Sequence, residues 1–144
     1  MRIVVDSNII FSALLTKNSS IRNILFSRDH LFFSPNFVFA EIFKYKEKIF
    51  KCSRLDEIEL YEYLNRILEN IQFVKAEVVS NENYTVAYDM CRDIDEKDSP
   101  FIALAIEINA FIWTGDKKLR GGLEKKGFIR FVDLELFEEK KNSS

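Results

Sequence analysis

Two periods of apolar residues run along this chain: short unbroken runs, and longer stretches in which apolar positions return every three or four residues. The first run, residues 2–6 (RIVVD), is rich in Val and Ile and reads as a strand meant for burial that delivers an aspartate at its tip. A helical stretch follows from Ser7 to about Phe26, interrupted near Lys17-Asn18-Ser19-Ser20. Leu31-Phe32-Phe33, closed by Ser34-Pro35, reads as a second strand. Val38, Ile42, Tyr45 and Ile49 predict a helix over 36–50, and Leu55, Ile58, Tyr61, Leu64 and Leu68 another over 54–69. Residues 71–74 read as a third strand and 82–92 as a helix. Ser99 as N-cap and Pro100 at the first helical position open a helix that runs through Glu107. Residues 110–114 (AFIWT) form a fourth strand, 117–126 a helix stopped by Gly127, 129–132 a last strand, and 133–144 a charged helical tail. Short apolar strands alternating with helices predict an α/β domain with a parallel sheet. In such sheets ligands bind beyond the carboxyl ends of the strands.

Composition narrows the picture. The 144 residues, 47% hydrophobic and 31% charged, suit one soluble domain, and 4 Gly with 2 Pro leave little room for linkers. No apolar run approaches the ~18–20 residues that span a bilayer, so no membrane association is expected. The N-terminus has no basic region beyond Arg2 and is broken by Asp6 and Asn8, so it does not read as a signal peptide and a cytoplasmic location is expected. Cys52 and Cys91 lack a metal or redox spacing and are expected as reduced, partly buried thiols. A single histidine, His30, argues against a His-rich zinc site or a His-centred triad.

The formal net charge of −2 does not announce a polyanion partner, but its distribution is uneven. Lys117, Lys118, Arg120, Lys125, Lys126 and Arg130 face one acid, Glu124, and Lys44, Lys46, Lys48, Lys51 and Arg54 face Glu47. Each cluster alone fits a solvated helix face; flanking an acidic site, they would be the footprint of a polyanion.

Acids supply that site. Asp6 ends the first strand and Asp116 ends the 110–114 strand, so parallel neighbours would project both from one sheet edge. Asp98 stands just before a helix that begins at that edge. Glu41 is a lone carboxylate in FVFAEIFKY, disfavoured there without a partner or a metal. Each acid also fits a plainer role: a cap for Asp6 and Asp98, a turn for Asp116, a lysine pair for Glu41. Four carboxylates brought together need a cation, and oxygen-only donors suit Mg2+ or Mn2+. A cation so held supports phosphoryl transfer to water.

In series, VVDSNIIFSALL, FAEIF, KDSPFIALA and WTGDKKL resemble the four acidic motifs of the PIN domain, over nearly the whole chain and in order. The resemblance implies a parallel sheet of about five strands flanked by helices, in agreement with the pattern above. It also implies metal-coordinating or water-activating roles for Asp6, Glu41, Asp98 and Asp116, with Asn8 and Thr114 in support. Asp95 is second choice to Asp98, because Ala103 and Ala105 fit the family's spacing from Asp98. The implied protein is a metal-dependent endoribonuclease similar to the toxins of toxin–antitoxin pairs. RNA would be its substrate, contacted by Lys117, Lys118 and Arg120, with a cognate antitoxin and a homodimer as expected partners. In that dimer, helix 117–126 is the alternative contact for a neighbour's acidic 133–139. A phosphatase of the haloacid dehalogenase type requires a second aspartate where Asn8 stands, and a receiver domain an acid pair where Ser7 and Asn8 stand. A degenerate PIN domain that only binds RNA or protein would lack some of the four acids.

Overall fold

A computed structural model gives the structure, describing residues 1–17 and 19–137. Five strands form one sheet: β1 (Arg2–Val5), β2 (Leu31–Pro35), β3 (Ile71–Val74), β4 (Phe111–Trp113) and β5 (Phe131–Val132). Their spatial order is β3-β2-β1-β4-β5, and every pairing is parallel. Helices α1 (Ser7–Leu15), α2 (Ser20–Phe26), α3 (Asn36–Lys44), α4 (Lys46–Cys52), α5 (Glu57–Asn70), α6 (Asn81–Cys91), α7 (Ser99–Ile108) and α8 (Lys117–Lys125) connect them. Short 3-10 turns stand at Ala76–Val78 and Glu96–Asp98.

Burial explains why the strands lack alternation. Ile3, Val4 and Val5 of β1 are each 0% exposed, as a central strand covered on both faces requires. Ile112 and Trp113 beside them, and Phe32 on the other flank, complete the centre of the core. From β1 the chain builds outward to β2 and β3, then crosses back to β4 on the opposite side. The switch point of the sheet therefore lies between the carboxyl ends of β1 and β4, where α/β folds open a crevice for ligands.

The expected 36–50 helix is broken at Tyr45, whose φ of −98° and ψ of 10° leave the helical region. Its ring stands edge-on to Phe11 of α1, 6.3 Å between centroids, and the chain turns there to follow α1. The helix expected from residue 54 starts at Glu57, because Asp56 accepts from the Glu59 N–H as its N-cap. Ser99 is not the cap of α7: Asp98 holds that position, and Ser99 Oγ donates to Glu96 O at 2.7 Å. Cys91 is buried as expected, but Cys52, at the end of α4, is exposed. A turn begins at Asp133, which accepts from the Leu136 N–H at 2.9 Å; the rest of the expected tail lies outside the described residues.

One buried cation escaped the sequence reading. Arg22 of α2 is 6% exposed and donates to the carbonyls of Ala13, Thr16 and Lys17 at 2.8, 2.7 and 2.6 Å. It satisfies the carbonyls that the end of α1 leaves open, and its guanidinium lies 4.2 Å from the centre of the Tyr63 ring.

Candidate functional site

Asp6 is the carboxylate that the buried strand β1 delivers at its end. It occupies the N-cap position of α1, yet its side chain makes no capping hydrogen bond, and it is only 6% exposed. Its backbone N–H donates to Trp113 O at 3.0 Å, which ties it to the end of β4. Thr114 Oγ1 donates to Asp6 Oδ2 at 2.7 Å, and the Asp116 N–H donates to Thr114 Oγ1 at 3.1 Å. One hydroxyl thus joins the two strand ends and fixes the Asp6 carboxylate in a single orientation.

Asp98 repeats the pattern at α7. It too stands at N-cap without a side-chain capping bond. Burial first, then the charges of Asp6, Asp95 and Asp116, push its carboxyl up to about 6. Three acids named from the sequence are therefore electrostatically in contact at the switch point, with Asp95 beside them. The two candidates in DIDEKD stand in different surroundings. Asp95 is exposed and spends Oδ1 on the Lys97 N–H at 3.0 Å, whereas Asp98 is half-buried and its carboxylate caps nothing. Asp93 is drawn away by the Lys126 ammonium, which lowers its carboxyl below the usual range.

Two features position Asp98. Ser99, through Glu96 O, locks the 3-10 turn that carries it. Gly122 of α8 lets that helix close on the same segment, since a Cβ there would lie 2.4 Å from Ile94 Cδ1. The Gly121-Gly122 pair inside a helical pattern was the available sequence signal for that close approach.

Asp116 differs from the other two. Its Oδ1 accepts from the N–H groups of Lys118 and Leu119, both at 3.0 Å, so it is a true N-cap of α8 with Oδ2 left for chemistry. Asparagine caps as well as aspartate. Asp116→Asn is therefore expected to leave thermal stability close to wild type, while Asp116→Ala lowers it by about 1 kcal/mol, roughly 3–4 °C in Tm for a chain of this size. Thermal melts of the two variants check this; equal melting temperatures would remove the capping role.

The other expected residues are placed less centrally. Glu41 lies in the second turn of α3, half-buried, whereas the charges that raise Asp98 are those of Asp6, Asp95 and Asp116. A lone carboxylate needs a partner or a metal only where its helix is apolar and buried. In fact only Val38 and Ile42 of α3 are buried, while Phe37, Phe39 and Phe43 are 40%, 42% and 48% exposed. Asn8 is exposed, and among the described residues its side chain has no hydrogen bond to an acid. Arg120, expected at the RNA, is engaged within the chain. Its Nε donates to Glu124 at 2.7 Å and its Nη1 to Asp133 at 3.0 Å, so both acids compete for it within the chain. The same pair joins Asp133 to α8 of its own chain. Lys117 and Lys118 remain exposed directly beyond Asp116.

The donor set suits a hard cation. Asp6, Asp98, Asp95 and the open oxygen of Asp116 offer only carboxylate oxygen, and the repulsion among them adds to burial in raising Asp98. Burial, and then the Asp98 charge, push the Cys91 thiol up to about 11, so it stays protonated at neutral pH. Among the described residues no three His, Cys, Asp or Glu side chains close around one point, so the acids form an open set rather than a finished cage.

Comparison with known proteins agrees with this architecture. A family model described as PIN domain matches residues 4–136. The uncharacterized protein MJ1680 of Methanocaldococcus jannaschii is 31% identical, over an alignment covering 94% of this chain and 84% of that protein. The family match reaches from β1 to the turn beyond β5 and encloses every acid described above, and the chain therefore belongs to the PIN-domain family, whose fold is of the nuclease type.

Proposed function

We propose that the chain is a Mg2+- or Mn2+-dependent endoribonuclease that hydrolyses RNA phosphodiesters at the carboxyl ends of β1 and β4. The observation that carries this reading is that Asp6 and Asp98 both stand at helix N-termini yet are withheld from capping, and that Asp98 is raised to about 6 by burial and by its acidic neighbours. Carboxylates used only as caps would make their capping bonds.

The residues divide the work. The N-termini of α1 and α7 open at the same sheet edge, and the positive ends of their helix dipoles favour a phosphate there. Asp6, held by Thr114, keeps one oriented negative charge beside that position. Asp98 releases its proton near neutrality, which suits a group that takes a proton from the attacking water. Asp6, Asp98 and Asp116 would hold the cation, which when bound supplies charge to the phosphate and lowers the pKa of water. Lys117 and Lys118 extend the site toward the RNA backbone. The cellular role that follows is that of a toxin restrained by a cognate antitoxin and acting as a homodimer in the cytoplasm.

The test is incubation of end-labelled single-stranded RNA with the protein in Mn2+ at low salt. Cleavage at internal positions is expected; intact RNA in both Mn2+ and Mg2+ would end the ribonuclease reading. Replacing Lys117 and Lys118 by alanine should weaken binding and lower the slope of log affinity against log salt by roughly one unit for each phosphate that is no longer neutralised. An unchanged slope would take α8 out of the substrate path. Growth arrest on expression, absent in an inactive variant, would be the corresponding result for the toxin role.

A further inference from the structure

The sheet edge that carries the acids continues past them. A cavity of about 560 Å³ opens beyond the carboxyl ends of β2 and β3, lined among others by Asn36, Phe37, Val74, Lys75, Glu77 and Tyr84. That size is ordinary for a small-molecule or nucleotide site.

Its position follows from register. Val4 is level with Phe33, so Asp6, two residues on, is level with Pro35, and Pro35 is in turn paired with Val74. Neighbouring strands lie about 5 Å apart. The mouth of the cavity is therefore one to two strand spacings from Asp6, along the same edge. Phe37 links the two places. Its ring is 40% exposed and lines the cavity, and it meets Phe101 edge-on at 5.5 Å and 76°. Phe101 lies in the first turn of α7, three residues after Asp98.

The lining chemistry is specific. A second aromatic ring, that of Tyr84, lines the cavity with Phe37. An amide from Asn36 and a carboxylate from Glu77 offer both donors and an acceptor, and Lys75 brings one exposed positive charge. Flat rings bind the faces of unstacked bases, amides and carboxylates read base edges, and an ammonium suits a phosphate. Bases within an RNA duplex are already stacked and cannot enter, so the match is to a single strand.

We infer that this cavity is a nucleobase subsite, taking a base of single-stranded RNA that flanks the scissile phosphate, stacked on Phe37 with Lys75 at a neighbouring phosphate. The inference rests on the ribonuclease reading for its substrate, but its test does not require turnover. Phe37→Leu keeps an apolar contact for Phe101 and removes the ring face; Lys75→Gln removes the charge. In an Asp98→Asn background, a single-stranded oligoribonucleotide carrying 2-aminopurine should lose fluorescence on binding as the base stacks. Phe37→Leu should abolish that quenching and weaken binding about tenfold. In the otherwise wild-type protein, both variants should raise KM with kcat retained, and blur the choice of base next to the cut. Unchanged quenching, affinity and cleavage pattern would overturn the subsite and leave the cavity to another partner, such as a peptide. Phe37-dependent quenching in a protein that cleaves no RNA would support the subsite and overturn the catalytic reading. Failure to bind the oligonucleotide at all would overturn both.

Discussion

Asp98→Asn is expected to lower RNA cleavage about a hundredfold or more, while making the metal-free protein more stable at neutral pH. The two effects have one cause. Asp98 is the carboxyl that the fold burdens most: burial opposes its charge, and Asp6, Asp95 and Asp116 repel it. Asparagine keeps the shape and the backbone position at N-cap, and removes the charge that would hold a cation and the oxygen that would take a proton. The pH dependence has a definite sign. The folded-state value of about 6 lies above the ordinary 3.8, so between those values the native protein binds more protons than the unfolded chain. Its contribution to stability is then full below pH ~4 and is lost as pH rises through about 6. Because the carboxyl is only half-buried, solvent screening reduces the effect to the order of 1 kcal/mol. Melting temperatures of wild type and Asp98→Asn in EDTA should therefore coincide near pH 4 and differ by roughly 3–4 °C at pH 7, with the variant higher. Asp95→Asn is the control. It removes an exposed acid already engaged with the Lys97 N–H, and should reduce cleavage only modestly. If Asp95→Asn were the dead variant and Asp98→Asn an active one, the roles of the two acids would be exchanged.

Why the sequence shows where Asp6 and Asp116 lie but not the surroundings of Glu41 and Arg120 has a physical explanation. Acids that follow strands are located by topology: once the strands are parallel, their carboxyl ends share an edge, and the residues after β1 and β4 must meet there. Periodicity and strand order carry that information. Glu41 and Arg120 are side chains on helices, and their surroundings depend on which helix face is covered. FVFAEIFKY looks buried in one dimension, but all three of its phenylalanines are exposed. Arg120 looks like part of a basic run, but the chain brings Asp133 back to it from beyond β5. The break at Tyr45 is similar, arising from a tertiary contact with Phe11 that no glycine or proline announces. Capping was legible in kind but not in assignment. Asp6, Asp98, Ser99 and Asp116 are all cap-type residues at helix starts, and only hydrogen-bond geometry shows that Asp116 caps, Ser99 braces the turn, and the remaining two are left free of capping.

Removing the metal is expected to have the largest effect of all. In excess EDTA, RNA cleavage should fall to background, and it should return when Mn2+ is added back. Asp6, Asp95 and Asp116 all raise Asp98, and under the proposed function a bound cation would offset that repulsion. A signal that does not depend on turnover follows from the same cause. A cation binding the folded protein at a hundred times its Kd adds about 2.7 kcal/mol, which for this length is roughly a 10 °C rise in Tm. Protons compete with it at Asp98. Below pH ~6 the apparent metal affinity should fall about tenfold per pH unit, and the thermal shift at fixed Mn2+ should shrink accordingly between pH 7 and pH 5. Asp98→Asn should flatten that dependence as well as reducing the shift, because the competing proton is gone along with the ligand. A Mn2+ shift that is the same at pH 5 and pH 7, or unaltered by Asp98→Asn, would place the cation elsewhere on the chain. Cleavage that persists in EDTA would mean that Asp98, acting as a base near neutrality, and Asp6 hydrolyse the phosphodiester without a metal.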